Sequence, residues 1–331
     1  MKIWSSCLAV AALILLAWAG AGVFGLQTLF GVVIPYLAFA LFLIGFVCRV
    51  VRWGMSATPF RIPTTCGQQK TLSWIKQDKL ENPSTGLQVL GRMLLEIFLF
   101  RSLFRNSKTE KRGPVFGFGS AKWLWLGGLV FHWSMLIVLL RHLRLFLNPT
   151  PAVIQGLEAA DNFLQVGAPL LYITDATLTV ALTYLFLRRV VAPGVRYISR
   201  PADYFPLLLL LAAAGSGILT RYFFKVDIHA VKALTMGLVT FRPPAPGQLS
   251  IGVIFYIHLF LVSCLFAYFP WSKLMHAGGV FLSPTRNMIN NSRAVRHVNP
   301  WNYPVETHSY AEYEDQFREK MRKAGLPLET E

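Results

Sequence analysis

From Ile3 to Cys48 the chain carries no Asp, Glu, Lys or Arg. A single helix over those 46 residues would be about 69 Å long, more than twice the roughly 30 Å hydrocarbon core of a bilayer. The stretch must therefore fold as two helices. The small and polar break at Gly20, Gly22, Gly25 and Gln27 is the natural turn, which predicts spans near 5–24 and 28–51. The first also satisfies the signal-peptide template, with Lys2, an apolar run and Ala17-Trp18-Ala19; its removal would leave the rest of the reading unchanged.

Later apolar stretches predict spans over 123–147, 166–188 (interrupted only by Asp175), 204–222 and 250–272. Six transmembrane helices follow, an all-α integral membrane protein. Pro35 and Pro270 are tolerable in such helices where neighbours satisfy the freed carbonyl. Composition agrees, since only 15% of residues are charged, against about 25% in a soluble domain. Disorder and an ordinary soluble enzyme are excluded, and nucleic acid is a poor explanation for 32 Lys and Arg against 16 Asp and Glu on so apolar a background. Cys7, Cys48, Cys66 and Cys264 are scattered without a C-x-x-C, so the chain cannot hold its own thiolate iron–sulfur cluster.

The cations set an orientation. With the N-terminus inside, 26 Lys and Arg fall on the inner side and four, between Arg221 and Arg242, on the outer. Loop 53–121 and the tail 278–331 are thus expected in the cytoplasm, with the spans in the cytoplasmic membrane. Within the loop, Leu87–Phe104 holds Arg92, Glu96 and Arg101, too many charges for a span. It reads as an interfacial helix or as one packed beneath a soluble partner. The polar tail is too short for a core of its own and is expected to dock onto a partner.

Four of seven histidines lie in or at the end of predicted spans: His132 and His142 in the third, His258 and His276 in and just after the sixth. Ionisable groups at membrane depth usually mark function, and paired imidazoles hold haem iron from both faces. The antiparallel course of the two spans sets His132 opposite His276 near the cytoplasm and His142 opposite His258 near the outer surface, so two stacked haems are expected. One mismatch remains. Axial separations of about 15 Å on the third span and about 27 Å on the sixth require a tilted sixth span or a break at Pro270. Met135 and Met275 read as packing, and His229, His297 and His308 as solvated or locally bonded.

The spacings His132-x9-His142 and His258-x17-His276, with the run Pro270-Trp271-Ser272-Lys273-Leu274-Met275-His276, resemble the NarI-like membrane cytochrome b family, the gamma subunits of respiratory nitrate reductase and their relatives. The resemblance covers about 28–277, interrupted by the cytoplasmic loop, with 1–27 as an additional N-terminal span. Phe60–Lys70 and Asn299-Pro300-Trp301-Asn302-Tyr303 are similar to the DsrM branch, the cytochrome subunit of the sulfite-reduction-associated complex DsrMKJOP. Membrane subunits of heterodisulfide reductase are also similar. The resemblance implies a NarI-like di-haem cytochrome b bundle with two b haems, a menaquinone site and electron exchange with a cytoplasmic iron–sulfur partner like DsrK. Further implied partners are a periplasmic multihaem cytochrome c, a periplasmic iron–sulfur protein and a second membrane subunit.

Quinone chemistry needs a proton acceptor. Asp175, with Tyr172 one turn away, is the candidate; the alternative is a structural carboxylate paired with Arg141, Arg144 or Arg221. Those arginines could equally bind haem propionates or quinone. A haem-free proton-relay transporter is the rival class, but it leaves the four-histidine arrangement unexplained and lacks a visible inverted repeat. A passive anchor that binds haem only for structure is the third.

Overall fold

A computed structural model describes residues 2–56, 67–163, 165–167, 169–283, 285–295, 304 and 306–329. The sequence features noted in 60–66 (Cys66 included) and 299–303, and His297, lie outside the described residues.

The charge-free stretch does fold as two helices. α1 (Lys2–Ala17) widens into a π-helical turn, Trp18–Val23, and stops at Gly25, whose φ of +64° is a left-handed value that glycine adopts without strain. The Leu26 N–H and the Gln27 side-chain amide donate to the carbonyls of Gly20 and Ala21 (2.8 and 3.0 Å), satisfying groups that a bilayer would leave stranded. The chain returns through the π-helical turn Leu29–Val33 directly into α2 (Ile34–Gly54), and Pro35, which has no N–H to donate, stands where the π-helical turn gives way to α-helix.

The cytoplasm-assigned loop builds α3 (Gly86–Leu99), α4 (Arg101–Arg105) and an antiparallel hairpin, β1 (Ser107–Arg112) and β2 (Val115–Ser120). The charges that barred Leu87–Phe104 from spanning are turned inward. Glu81 accepts from Arg101 and Arg105, Arg92 donates to the carbonyls of Glu81 and Thr285 (3.0 and 3.2 Å), and Ser102 donates to Glu96. Arg92 and Glu96 are buried, so α3 is a covering helix of the loop's own fold. Its end is tied to the next span, since Trp133 and Trp125 donate their indole N–H to Phe98 and Leu99 carbonyls (3.1 and 2.7 Å).

α5 (Lys122–His142) is followed by α6 (Ala152–Phe163), α7 (Ile173–Val191), α8 (Pro193–Ile198), α9 (Pro201–Ile218), α10 (Ile228–Val239), α11 (Val253–Tyr268), the single-turn α12 (His276–Gly279) and α13 (Tyr310–Lys323). Among the described residues five helical stretches are long and apolar enough to cross a membrane: Ile3–Val23, Leu29–Gly54, Lys122–Leu145, Pro201–Phe223 and Val253–Trp271. The other expected span, α7, is 19 residues long with Asp175 in its first turn and Arg188 and Arg189 in its last. It begins at Ile173 rather than at 166, because Gly167 and Pro169 fold a turn closed by the bridge between Val166 and Leu171.

Packing runs as an arc, α5 on α7, α7 on α9, α9 on α11 and α11 on α2, with α1 laid against α9 and α11. A buried cluster including Phe30, Leu209, Tyr256, Phe260 and Leu261 forms its core. Small residues set the approaches, as expected where helices cannot gain from water exclusion. A Cβ on Gly127 of α5 would stand 2.6 Å from the Tyr184 ring of α7, whereas one on Gly128 meets only Leu103, at 3.8 Å. Gly127→Val should lower stability by about 1–3 kcal/mol through overpacking and Gly128→Ala should be nearly silent, read from thermal midpoints in detergent.

Candidate functional site

The arc leaves α5 and α11 facing each other through histidine rings. His132 and His276 have ring centroids 5.9 Å apart and nearly perpendicular planes (84°). His142 and His258 stand 6.3 Å apart at 27°. Both pairings expected from the antiparallel spans are therefore brought together.

The axial mismatch between the two helices is resolved by a break. α11 ends at Tyr268, and Phe269–Trp271 continues as a 3-10 turn containing Pro270. Ser272 is fully extended (φ −113°, ψ 178°), and a second 3-10 turn, Lys273–Met275, delivers His276. The helical rise from His258 to Phe269 is about 16 Å, close to the rise of about 15 Å from His132 to His142. The corner holds His276 at the level of His132.

Each of the four imidazoles has Nδ1 against a backbone carbonyl: His132 on Gly128 (2.7 Å), His142 on Val138 (2.7 Å), His258 on Ala213 (3.0 Å) and His276 on Lys273 (2.8 Å). A carbonyl only accepts, so Nδ1 carries the proton and Nε2 keeps its lone pair, the tautomer in which histidine ligates metals. Two imidazoles that share one ion, each nitrogen about 2 Å from it, have ring centres about 6 Å apart. The two observed separations fit. Among the described residues no group of three or more His, Cys, Asp or Glu is placed to hold a metal. Two histidines per site suit an ion that brings its own remaining ligands, as haem iron does with four porphyrin nitrogens. Gly217 of α9 adds room, since a Cβ there would stand 3.1 Å from His258 Cε1.

Beside His142, Arg141 enters a buried polar cluster. It donates to Asp161 (2.5 Å), Thr174 (2.9 Å) and Asp175 (3.3 Å), and Asp161 also accepts from the Thr174 N–H (3.0 Å) and hydroxyl (2.5 Å). Tyr222 donates its hydroxyl to the other Asp175 oxygen (2.6 Å). The guanidiniums of Arg141 and Arg221 lie 4.0 and 4.3 Å from the centroid of the Tyr172 ring, whose hydroxyl accepts from Arg221 (2.6 Å). Arg144 is paired with Glu158, which also lies 3.6 Å from Arg221. Asp175 and Tyr172 thus share one cluster with Arg141, while Arg144 is engaged on its edge. Asp161, Glu158, Thr174 and Tyr222 are the members sequence reasoning missed. The signal was available in Glu158 and Asp161, three residues apart on a helix that follows Pro149 and Pro151. His229 and His308 take no part. The His229 backbone N–H bonds Asp227 (2.9 Å), and His308 lies 3.7 Å from Glu312.

The model of the nitrate reductase gamma subunit family matches residues 95–297, which include all four paired histidines. The chain is 48% identical over 284 residues to the Hdr-like menaquinol oxidoreductase cytochrome b-like subunit of Archaeoglobus fulgidus, covering 82% of this chain and 83% of that protein. The protein of the same name from Archaeoglobus profundus is 42% identical over 275 residues, covering 81% of each. The nitrate reductase gamma chain of Bacillus subtilis is 31% identical over 160 residues, covering 45% of this chain and 70% of its own. The chain is a multi-pass membrane protein and belongs to the nitrate reductase gamma subunit family.

Asp161 and Arg141 are the most enclosed ion pair of the cluster, with side chains 3% and 7% exposed. Asp161→Ala should cost roughly 3–5 kcal/mol, as expected when one partner of a buried pair is removed. Asp175→Ala should cost less, because its Arg141 contact is longer. Unfolding midpoints of the two variants in detergent test the order.

Proposed function

We propose that the chain is the membrane cytochrome b subunit of a menaquinol oxidoreductase, with one b haem between His132 and His276 and a second between His142 and His258. The observation that carries this reading is the pair of facing imidazoles at metal-sharing distance, each with Nδ1 committed to a carbonyl. When bound, the haems supply two one-electron carriers stacked along the bundle. The chain's own work is to hold and orient the ligands, and to manage charge at the end of the bundle that carries Arg141.

Menaquinol is assigned to that end. Its oxidation releases two electrons and two protons, so a proton acceptor is needed beside it. Asp175 takes this role, with Tyr222 hydrogen-bonded to it and Tyr172 and Arg221 offering a hydroxyl and a cation to a quinone oxygen. Arg141 holds Asp175 in position, and Arg144 is kept as a contact for a haem propionate or the quinone. Loop 53–121 and tail 278–331, rich in cations, are assigned to the cytoplasm, where a soluble iron–sulfur subunit would take up the electrons. The membrane domain is 28–277, with 1–27 an added span.

The finer reading is a DsrM-like subunit with a DsrK-like partner in dissimilatory sulfate or sulfite metabolism, within a complex that adds a periplasmic multihaem cytochrome c, a periplasmic iron–sulfur protein and a second membrane subunit. It rests on the resemblance in 60–70 and 299–303, and the Hdr-like name of the two archaeal relatives agrees better with it than with a nitrate reductase.

A dithionite-reduced minus oxidised spectrum, with haem counted per chain, tests the core of the proposal. The natural protein should hold two b haems, and His142→Ala and His276→Ala should each lose a different one. Well-folded protein without haem would replace this reading with a proton-relay transporter.

A further inference from the structure

His276 differs from the other three paired histidines in standing outside a long helix, at the end of the corner Phe269–Met275. A ligand mounted on irregular backbone needs its position fixed by something other than helical hydrogen bonds. Three contacts meet this need. Ser272 Oγ donates to the Phe269 carbonyl (2.9 Å) and accepts from the Leu274 N–H (3.1 Å), closing the corner internally. On the α2 side, Gly45 lets the helix lie directly against it, since a Cβ there would stand 2.8 Å from Pro270 and 3.0 Å from Trp271. On the α9 side, Lys273 Nζ donates to Asp203 Oδ1 (2.6 Å), while Asp203 Oδ2 accepts from the Arg200 N–H (2.9 Å) at the start of α9.

Lys273 is also the residue whose carbonyl receives the Nδ1–H of His276. One residue therefore joins the imidazole, through its backbone, to a carboxylate 7% exposed on another helix, through its side chain. We propose that Asp203 is a positioning residue for His276, acting through Lys273 to fix the plane of that imidazole nearly at right angles to His132. The inference rests on the reading that His132 and His276 hold one haem.

The angle gives it a readout that a general loss of stability would not mimic. Ligand-plane angle governs the anisotropy of the electron paramagnetic resonance of low-spin ferric haem. Crossed planes give the largest maximum g value, and more nearly parallel planes a smaller one. At 84° and 27° the two sites should give two distinct signals. Because 84° is close to the limit, any rotation of His276 can only reduce the anisotropy of its own signal.

The experiment compares this spectrum, and a potentiometric titration of both haems, in the full-length natural protein and in Lys273→Met, Lys273→Arg and Asp203→Asn. Lys273→Met and Asp203→Asn should move the more anisotropic signal to a smaller maximum g value and shift its midpoint potential, leaving the other signal in place. Lys273→Arg should restore the natural spectrum. The Lys273 side chain is 78% exposed, so Lys273→Met tests the link even where Asp203→Asn fails to fold. Natural protein with two haems, and Lys273→Met with an unchanged spectrum, would overturn the positioning role alone; so would equal changes in both signals. Natural protein without haem would overturn the ligation reading beneath it.

Discussion

The structure turns on four hydrogen bonds from imidazole Nδ1 to backbone carbonyls. An imidazole inside an apolar bundle is costly unless its polar atoms are committed, and one committed nitrogen fixes both the ring and the tautomer. Two of the four carbonyls, Gly128 and Val138, lie one turn back on the same helix, so α5 orients its own histidines. The Ala213 carbonyl belongs to α9 and receives both His258 and the Ser216 hydroxyl (2.9 Å), which ties the second pair to the packing of α9 on α11. Helix arrangement and imidazole orientation are in these places one constraint.

The four histidines were legible because charge-free helices carry few ionisable groups, and the antiparallel course of α5 and α11 left one way to pair them. The choice between a tilted helix and a break at Pro270 was not legible, because it depends on Ser272 adopting an extended backbone against α2 and α9. The turn near Gly25 could be read from composition, while the start of α7 could not: the 166–172 segment looks apolar, yet a Gly and Pro turn closes it by the Val166–Leu171 bridge. The inward-turned charges of α3 were seen as barring a span, but their partners, Glu81 and the Thr285 carbonyl, lie outside the helix itself, the second far away in sequence. The hairpin 107–120 has no buried face to announce it, with Phe116 and Phe118 both exposed.

The two histidine pairs are built differently. At the end carrying Arg141, both histidines stand on regular helices and their planes lie at 27° to each other. At the other end one histidine is on a helix and its partner on a corner, and the planes cross. His132 is further enclosed by Phe100 and Phe131, whose rings stand 4.9 and 4.7 Å away, edge to face. Phe100 is itself held at φ +49° where α3 ends, so the loop's own fold reaches the nearer pair directly. Any partner that engages this loop would act on a segment already in contact with His132.

The polar cluster at the far end obeys a charge count. Arg141, Arg144 and Arg221 face Asp161, Asp175 and Glu158, so three guanidiniums meet three carboxylates, with Arg141 and Asp161 buried and Arg144, Arg221 and Glu158 partly exposed at the edge. An isolated charge as buried as Arg141 or Asp161 would be costly, and their pairing explains how both can be enclosed. In the proposed role, a proton taken by Asp175 leaves the cluster with one excess positive charge. Tyr222, bonded to Asp175 through its hydroxyl and to the Tyr172 N–H through its oxygen (3.1 Å), ties that carboxyl to the residue that precedes α7. Asp161 is bound by Arg141 and twice by Thr174, whereas Asp175 is bound by Arg141 and Tyr222, so two carboxylates that share a single arginine are held by different neighbours.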